Sequence, residues 1–282
     1  MNFRKSVVGK KAIRYSAMAY RKFYTDHSKP RNPVIANSFP KSGTHLLIQI
    51  LEPLPGIRDW GYFLPSSPSF TLRERCGESM ADRISVMAND EMAGAHLYFS
   101  EEAENELREL NAVHYFIYRD LRDVVLSESH YLYCMNKWHR LHSVYKGMHD
   151  EKERLRFAIE GDREGKLPFD YPNIGVRFRK YLPWIERPGV MALKFEDLRG
   201  EESEAQINSM ITHHWSKTGE AYDLAEYQQK AIENVNPERS HTFRSGKKGK
   251  WVASFDDSLK DLFKEYAGEL LIELGYEEGM NW

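Results

Sequence analysis

Short apolar runs that pass straight into small polar loops, and from there into helical patterns, constrain this chain more than any other feature. The first such run is Pro33-Val34-Ile35-Ala36, short and apolar enough for a buried strand. It opens into Asn37-Ser38-Phe39-Pro40-Lys41-Ser42-Gly43-Thr44-His45, after which Leu46, Leu47, Ile50, Leu51 and Leu54 recur at helical spacing. The order strand, tight loop, helix puts a lysine and small polar residues at a helix start. Unpaired backbone N–H groups and about half a unit of positive charge attract phosphate there. Gly43 lets the backbone come close to such a group, Ser42 and Thr44 offer hydroxyls, and Lys41 adds a mobile charge. Taken alone, the loop reads first as a helix start capped by Ser42 or Thr44. It is not a Walker A loop, which places its lysine after the glycines, whereas Lys41 precedes Gly43.

The pattern returns. Ala112-Val113-His114-Tyr115-Phe116-Ile117-Tyr118 is a β-branched and aromatic strand candidate that runs into Arg119-Asp120-Leu121-Arg122-Asp123. Arg119 at the strand end can grip a phosphate through two parallel donors, and Ser127, two turns into the following helix, can add a hydroxyl. Asp123 is placed to orient or cap backbone rather than to meet an anion. A strand-to-helix turn with surface charges fits this segment alone; two such units in one chain are harder to assign to chance. Val190-Met191-Ala192-Leu193-Lys194-Phe195 is a third strand candidate, followed by Glu196-Asp197-Leu198. Met92-Ala93-Gly94-Ala95-His96-Leu97 is a small-residue run ending in histidine, and His241 to Trp251 is rich in glycine and lysine.

These segments, in this order, resemble the sulfotransferase family, whose donor is 3′-phosphoadenosine-5′-phosphosulfate (PAPS). Phe39-Pro40-Lys41-Ser42-Gly43-Thr44 is similar to its 5′-phosphosulfate loop, and Arg119 to Ser127 matches its 3′-phosphate motif R-D-x-x-D-x-x-x-S. Phe195-Glu196-Asp197-Leu198 resembles its Y-E-D-L segment, and Phe243-Arg244-Ser245-Gly246 its nucleotide-closing F-R-K-G loop. The resemblance spans about residues 33 to 255. It implies a catalytic pair: Lys41, stabilising charge on the leaving 5′-phosphate, and His96, the base that deprotonates the acceptor. It implies donor contacts from Ser42, Gly43, Thr44 and His45 to the 5′-phosphate, and from Arg119, Ser127, Arg244, Ser245 and Gly246 to the 3′-phosphate. Phe195 either abuts the adenosine or is a plain buried strand residue. No metal is implied, because protein cations do the neutralising. Five positions depart from the pattern: Leu46 where an aromatic often stacks on adenine, Gly94 for a lysine, Phe195 for tyrosine, Ser245 for lysine and Lys250 for aspartate.

Alternating strands and helices with phosphate loops at strand ends predict an α/β fold: a central parallel sheet flanked by helices, with the donor across the strands' carboxyl ends. Nothing in the sequence splits the chain, so residues 1–282 read as one domain: a basic helical segment over 1–30, the family-like core over 33–255, and a closing helix over 256–282. A net charge of −2 gives no global pull toward nucleic acid or membrane, so any anion site must come from local clustering. The two cysteines, Cys76 and Cys134, make neither a framework nor a metal site and suit a reducing, cytoplasmic setting. No run is long enough for an integral membrane span. Residues 52–69, rich in Pro, Gly and aromatics, predict an ordered loop over the site's mouth, with Trp60, Tyr62 and Phe63 lining an acceptor pocket or packing in the core. Residues 128–165 read as a helical stretch whose aromatics, Tyr131, Tyr133, Trp138 and Tyr145 among them, face the acceptor; His139 and His142 lack a carboxylate or cysteine partner at metal spacing. The acceptor is then a small organic molecule or a glycan. Two other classes remain open: a P-loop kinase-type phosphotransferase, and a non-catalytic binder of nucleotide or sulfated polymers through Lys247, Lys248 and Lys250.

Overall fold

The computed structural model of the chain describes residues 19, 32–219, 221–236 and 249–282. Its framework is a five-stranded, wholly parallel sheet in the order β2-β3-β1-β4-β5. Parallel neighbours need long crossovers, and helices supply most of them. Strand β1 (Val34–Ser38) leads to helix α1 (Thr44–Leu51), β2 (Arg58–Pro65) to α2 (Gly77–Ser85), and β3 (Glu91–His96) to α3 (Glu101–Glu109). Strand β4 (Val113–Tyr118) opens α4 (Leu121–His130), which ends in a π-helical turn, Tyr131–Met135. Helices α5 (His142–Lys146), α6 (Glu151–Glu160) and α7 (Ile174–Arg179) precede β5 (Val190–Lys194). Four helices close the chain: α8 (Ser203–Thr218), α9 (Leu224–Asn234), α10 (Trp251–Ser254) and α11 (Asp257–Glu273).

The central strands are apolar on both faces because helices cover both. Val34 and Ala36 of β1, with Val113, Tyr115 and Ile117 of β4, pack on Leu47 and Ile50 of α1 and on Met210 and Ile211 of α8. Ile35, Phe116 and Tyr118 face the other way, onto Val124 and Val125 of α4 and Phe263 and Leu270 of α11. A two-residue period on each strand thus builds two cores.

Residues 52–69 hold strand β2 where the composition suggests a loop. Among the described residues it pairs only with β3, and an edge strand tolerates the proline at its end. Gly61, at φ 72°, marks the irregularity where the register shifts between Asp59 and Tyr62. The helical stretch over 128–165 is interrupted, with the π-turn, α5 and α6 separated by short connections. The 1–30 segment, residue 19 aside, lies outside the described residues, as do Arg244, Ser245, Gly246, Lys247 and Lys248.

One polar residue is built into the sheet where β1 and β3 part. Asn37 is fully buried; its amide donates to the Leu97 carbonyl (3.1 Å), and its oxygen accepts from the N–H groups of Leu97 (2.8 Å) and Ser38 (2.9 Å). The side chain replaces ladder bonds just where the chain turns from His96 into Leu97. Asn37→Ala leaves two buried N–H groups without that acceptor, and we expect the unfolding free energy to fall by about 2–4 kcal/mol, read by urea titration.

Candidate active site

Strand order decides which residues meet. The carboxyl ends of β3, β1, β4 and β5 lie side by side, so His96, the loop after β1, Arg119 and Phe195 follow one another along a single edge of the sheet. A cleft of about 560 Å³ runs along it, lined by Lys41, Gly43, Thr44, His45, His96, Arg119, Ser127 and Phe195. Eight of the sequence-predicted residues therefore share one cavity. Ser42 is the exception: its side chain is fully buried outside the lining, and its hydroxyl has no hydrogen-bond partner among the described residues.

The loop after β1 is held at both ends. Phe39 is sunk edge-on against Phe178 (5.1 Å) and Tyr181 (5.2 Å), and the Ser42 N–H closes a turn on the Phe39 carbonyl (3.1 Å). Lys41 sits in left-handed backbone at φ 70°, a conformation with a real cost for a side-chain-bearing residue. Gly43, at φ 111°, is required twice over, because a Cβ there would stand 2.7 Å from the Phe195 ring. The first bond of α1 runs from the Leu47 N–H to the Gly43 carbonyl (3.0 Å), so the N–H groups of its first turn lie ahead of the ladder, at the cleft.

Lys41 places its ammonium over the Tyr131 ring, 4.0 Å from the centroid. Burial pulls its pKa down to about 8, with the Glu128 carboxylate opposing and the Arg119 charge adding to the fall. Tyr131 is presented by the π-turn, and its hydroxyl accepts from the Asn136 amide (2.9 Å).

His96 is fixed from β1. Its Nδ1 lies 3.0 Å from the Ser38 carbonyl and 3.2 Å from the Ser38 hydroxyl, which in turn meets the Thr44 hydroxyl at 2.6 Å. A carbonyl only accepts, so Nδ1 carries the proton and Nε2 the lone pair. Burial lowers the imidazole pKa to about 4, further pressed by the His45 and Lys41 charges and resisted by the bond to Ser38; the ring is therefore neutral at pH 7. The Phe63 ring packs edge-on to it at 5.0 Å. Gly94 makes room for this contact, since a Cβ there would come within 2.9 Å of Phe63 and 3.0 Å of Ile48. Where the family resemblance has a lysine, this chain has an aromatic ring seated over a glycine.

At the other end, Arg119 lies over the Phe195 ring (4.5 Å) and bonds Asp123 (3.0 Å). The Asp123 carboxylate also accepts from the N–H groups of Gly249 (2.9 Å) and Trp251 (3.1 Å), the backbone-orienting duty its place in the motif suggests. Arg122 turns the opposite way. Its guanidinium bonds Asp120 (2.8 Å) and Glu277 and is covered by Trp251 (3.9 Å) and Trp282 (4.5 Å). Near Asn236 the chain is tied to α1, the Gln49 amide exchanging hydrogen bonds with the Asn236 backbone at 2.9 and 3.0 Å. Val235 and Lys250 both line the cleft.

Of the three aromatics on β2, Phe63 lines the cleft; Tyr62 packs in the core with its hydroxyl on the Arg83 carbonyl (3.0 Å), and Trp60 is not in the lining. His139 and His142 are taken up locally: His139 Nδ1 accepts from the Leu141 N–H (3.1 Å), and His142 Nδ1 meets the Leu132 carbonyl (2.7 Å). Among the described residues no cluster of three or more His, Cys, Asp or Glu side chains is arranged to hold a metal. Sequence reasoning passes over Ser38 and Arg199, the latter a further cation in the lining, and it places Tyr131 only within an aromatic, acceptor-facing helix, with no role of its own. The signal for Ser38 is the polar pair Asn37-Ser38 closing an apolar strand; the π-turn that presents Tyr131 is invisible in the pattern.

Two substitutions in this loop should move stability in opposite directions. Lys41→Met removes a desolvated charge and should raise the unfolding free energy at pH 7 by about 1–3 kcal/mol. Gly43→Ala forces strain and a clash on Phe195 and should lower it by about 2–4 kcal/mol. Urea titration of both reads the signs directly.

No protein-family profile matches the chain, and no curated protein matches it in sequence. Solved structures do match. The mouse sulfotransferase SULT7A1 complexed with PAP superposes with a TM-score of 0.59 at 16% identity, covering 90% of this chain and 89% of that one. Retinol dehydratase in a complex with retinol and PAP gives 0.56 at 16% identity, covering 86% and 82%. The same enzyme with androsterone and the inactive cofactor PAP gives 0.56 at 15%, covering 86% and 81%. A parallel sheet in the order found here, with helices on both faces and a cleft at the strands' carboxyl ends, gives this chain the sulfotransferase fold.

Proposed function

We propose that the chain is a PAPS-dependent sulfotransferase acting on a hydroxyl or amine of a small organic acceptor. The observation that carries this reading is the convergence of Lys41, His96, Arg119 and Phe195, far apart in sequence, on one cleft. The residues present fit a nucleotide charged at both ends. Lys41 and the first turn of α1 stand at one place along the cleft, and Arg119 and Ser127 at another.

The donor supplies a sulfuryl group activated by its anhydride bond to phosphate. Thr44, His45 and the N–H groups around Gly43 would hold the 5′-phosphate, with the orphaned Ser42 hydroxyl beneath the same loop. Arg119 and Ser127 would hold the 3′-phosphate, and Phe195, whose face already carries Arg119, would border the adenosine. Lys41 would neutralise charge on the departing phosphate, its ammonium meanwhile resting on Tyr131. His96 would take the acceptor's proton at Nε2, since Ser38 holds the proton on Nδ1. The parts of this assignment that fall on Arg244, Ser245 and Gly246 lie outside the described residues. Beyond Lys41 the cleft is walled by Phe63, Tyr98, Leu132, Leu141 and Tyr181, which suits a compact, partly aromatic or alicyclic acceptor. Free thiols at Cys76 and Cys134 fit a cytoplasmic setting.

A phosphotransferase needs a carboxylate at a strand end for its metal. The acid after β4 is Asp120, and it is engaged by Arg122 through both oxygens. Calorimetry with PAP (adenosine 3′,5′-bisphosphate) against ATP plus magnesium decides between the two; tight binding of the triphosphate alone would overturn the sulfotransferase reading. A pooled-acceptor screen with labelled PAPS, read by mass shift, separates an enzyme from a pure binder.

Lys41→Ala and His96→Ala should each cut turnover at least about a hundredfold, with PAP binding nearly retained in His96→Ala. The pH profile of kcat/KM carries a sharper signature. The rate should rise as pH climbs through about 4, where His96 becomes neutral and able to accept a proton, and fall beyond about 8, where Lys41 loses its charge. An acid limb at the ordinary histidine pKa of roughly 6.5 would contradict the burial of His96.

A further inference from the structure

The mouth of the cleft has a surface that the proposed transfer reaction does not use. Ser69 and Phe70 on one loop, and Asn136 and His139 on another, line the opening. The two loops form one rim, because the Arg140 N–H donates to the Ser69 carbonyl and its guanidinium to the Thr71 carbonyl, both at 3.0 Å. Outward from this rim stand three large apolar side chains: Trp138 at 91% exposure, Phe70 at 69% and Met135 at 39%. Scattered apolar residues are ordinary on a protein surface, but a tryptophan almost wholly in water on a rim that two loops share is not.

Cations border the same rim. Lys137 and Arg140 flank Trp138 on its turn and are exposed. Tyr133, two residues before Met135, carries Lys146 (3.8 Å) and Arg154 (4.0 Å) over its ring. Four acids line the cleft behind the rim: Asp170, and Glu74, Asp123 and Glu128, which are ion-paired with Lys180, Arg119 and Arg177. The two rim loops themselves, 66–72 and 135–142, carry Lys137 and Arg140 and no acid, a local sign opposite to the net charge of −2 on the whole chain. An amphipathic tryptophan among apolar neighbours, bordered by lysine and arginine, matches the layered chemistry of a bilayer surface: headgroups above, acyl chains just beneath.

We propose that this rim docks on an anionic membrane surface, with Trp138 and Phe70 seated at headgroup depth. Docking stands on the rim alone. Its use rests on the transfer reading: a hydroxyl compound dissolved in the bilayer would enter the cleft between the two loops without passing through water.

The test is sedimentation of the full chain, without donor or acceptor, with phosphatidylcholine vesicles prepared with and without phosphatidylserine. The chain should partition onto the phosphatidylserine vesicles more strongly than onto phosphatidylcholine alone. Trp138→Ala should weaken that partition about tenfold, and Lys137→Ala about fivefold, the scale of one interfacial cation. Absence of binding to either vesicle overturns the proposal. So does equal binding by wild type and Trp138→Ala, which would assign the affinity to another part of the chain such as the basic residues before position 30. If sedimentation velocity shows self-association that Trp138→Ala abolishes, the rim is a face between copies and the proposal fails. Because no reagent of the transfer reaction is present, these outcomes are independent of whether the chain transfers sulfate.

Discussion

Parallel hydrogen bonding is the constraint from which the site follows. Every strand in the sheet points the same way, so each carboxyl end faces the same edge, and lateral order alone decides which loops become neighbours. Strand β1 lies between β3 and β4, and that position sets the Lys41 loop between His96 and Arg119. Asn37 then fixes where β1 and β3 separate, and the Gly43–Phe195 contact fixes how closely the first loop approaches the end of β5. Two cores hold the strands in register, and the cleft is what remains open at their ends.

That edge is held under electrostatic and conformational tension. A lysine and a histidine both lose solvation there, and each has its charged form disfavoured. Lys41 adds a left-handed backbone that only the surrounding packing maintains. The anchors that offset these costs are conventional: Phe39 among Phe178 and Tyr181, and the hydroxyl chain from His96 through Ser38 to Thr44. On the transfer reading, an incoming phosphate would favour the charged lysine that burial disfavours.

Much of this is legible in the residues because strand and loop chemistry is local. The apolar runs at 34–36 and 113–118 are strands, and both run into polar loops that open helices, as the periodicity predicts. The described residues read as phosphate loops, Ser42 aside, also converge, since α/β topology brings strand ends to one edge. Residues 52–69 mislead because proline and glycine signal a loop, while the alternation that makes β2 a strand is short and broken at Gly61. Ser42 reads as a hydroxyl donor to the cleft, yet the positive φ values on either side of it turn the side chain inward. Tyr131 and the Phe63–Gly94 contact are illegible for a deeper reason. Both depend on how elements distant in sequence pack, through a π-turn in one case and an edge strand laid over a glycine in the other.

The edge-to-face pair Trp251 and Trp282, both laid over Arg122, joins the final residue of the sequence to the helix that follows Arg119. That guanidinium is nearly sealed from water, and its cover comes from side chains more than a hundred residues away. Trimming the last few residues would strip Glu277 and one indole from it, rehydrating a cation whose neighbour Asp123 steadies both Arg119 and the backbone at Gly249. Loss of Glu277 and Trp282 therefore has a route to the cleft through side-chain packing, with no residue of the cleft itself altered.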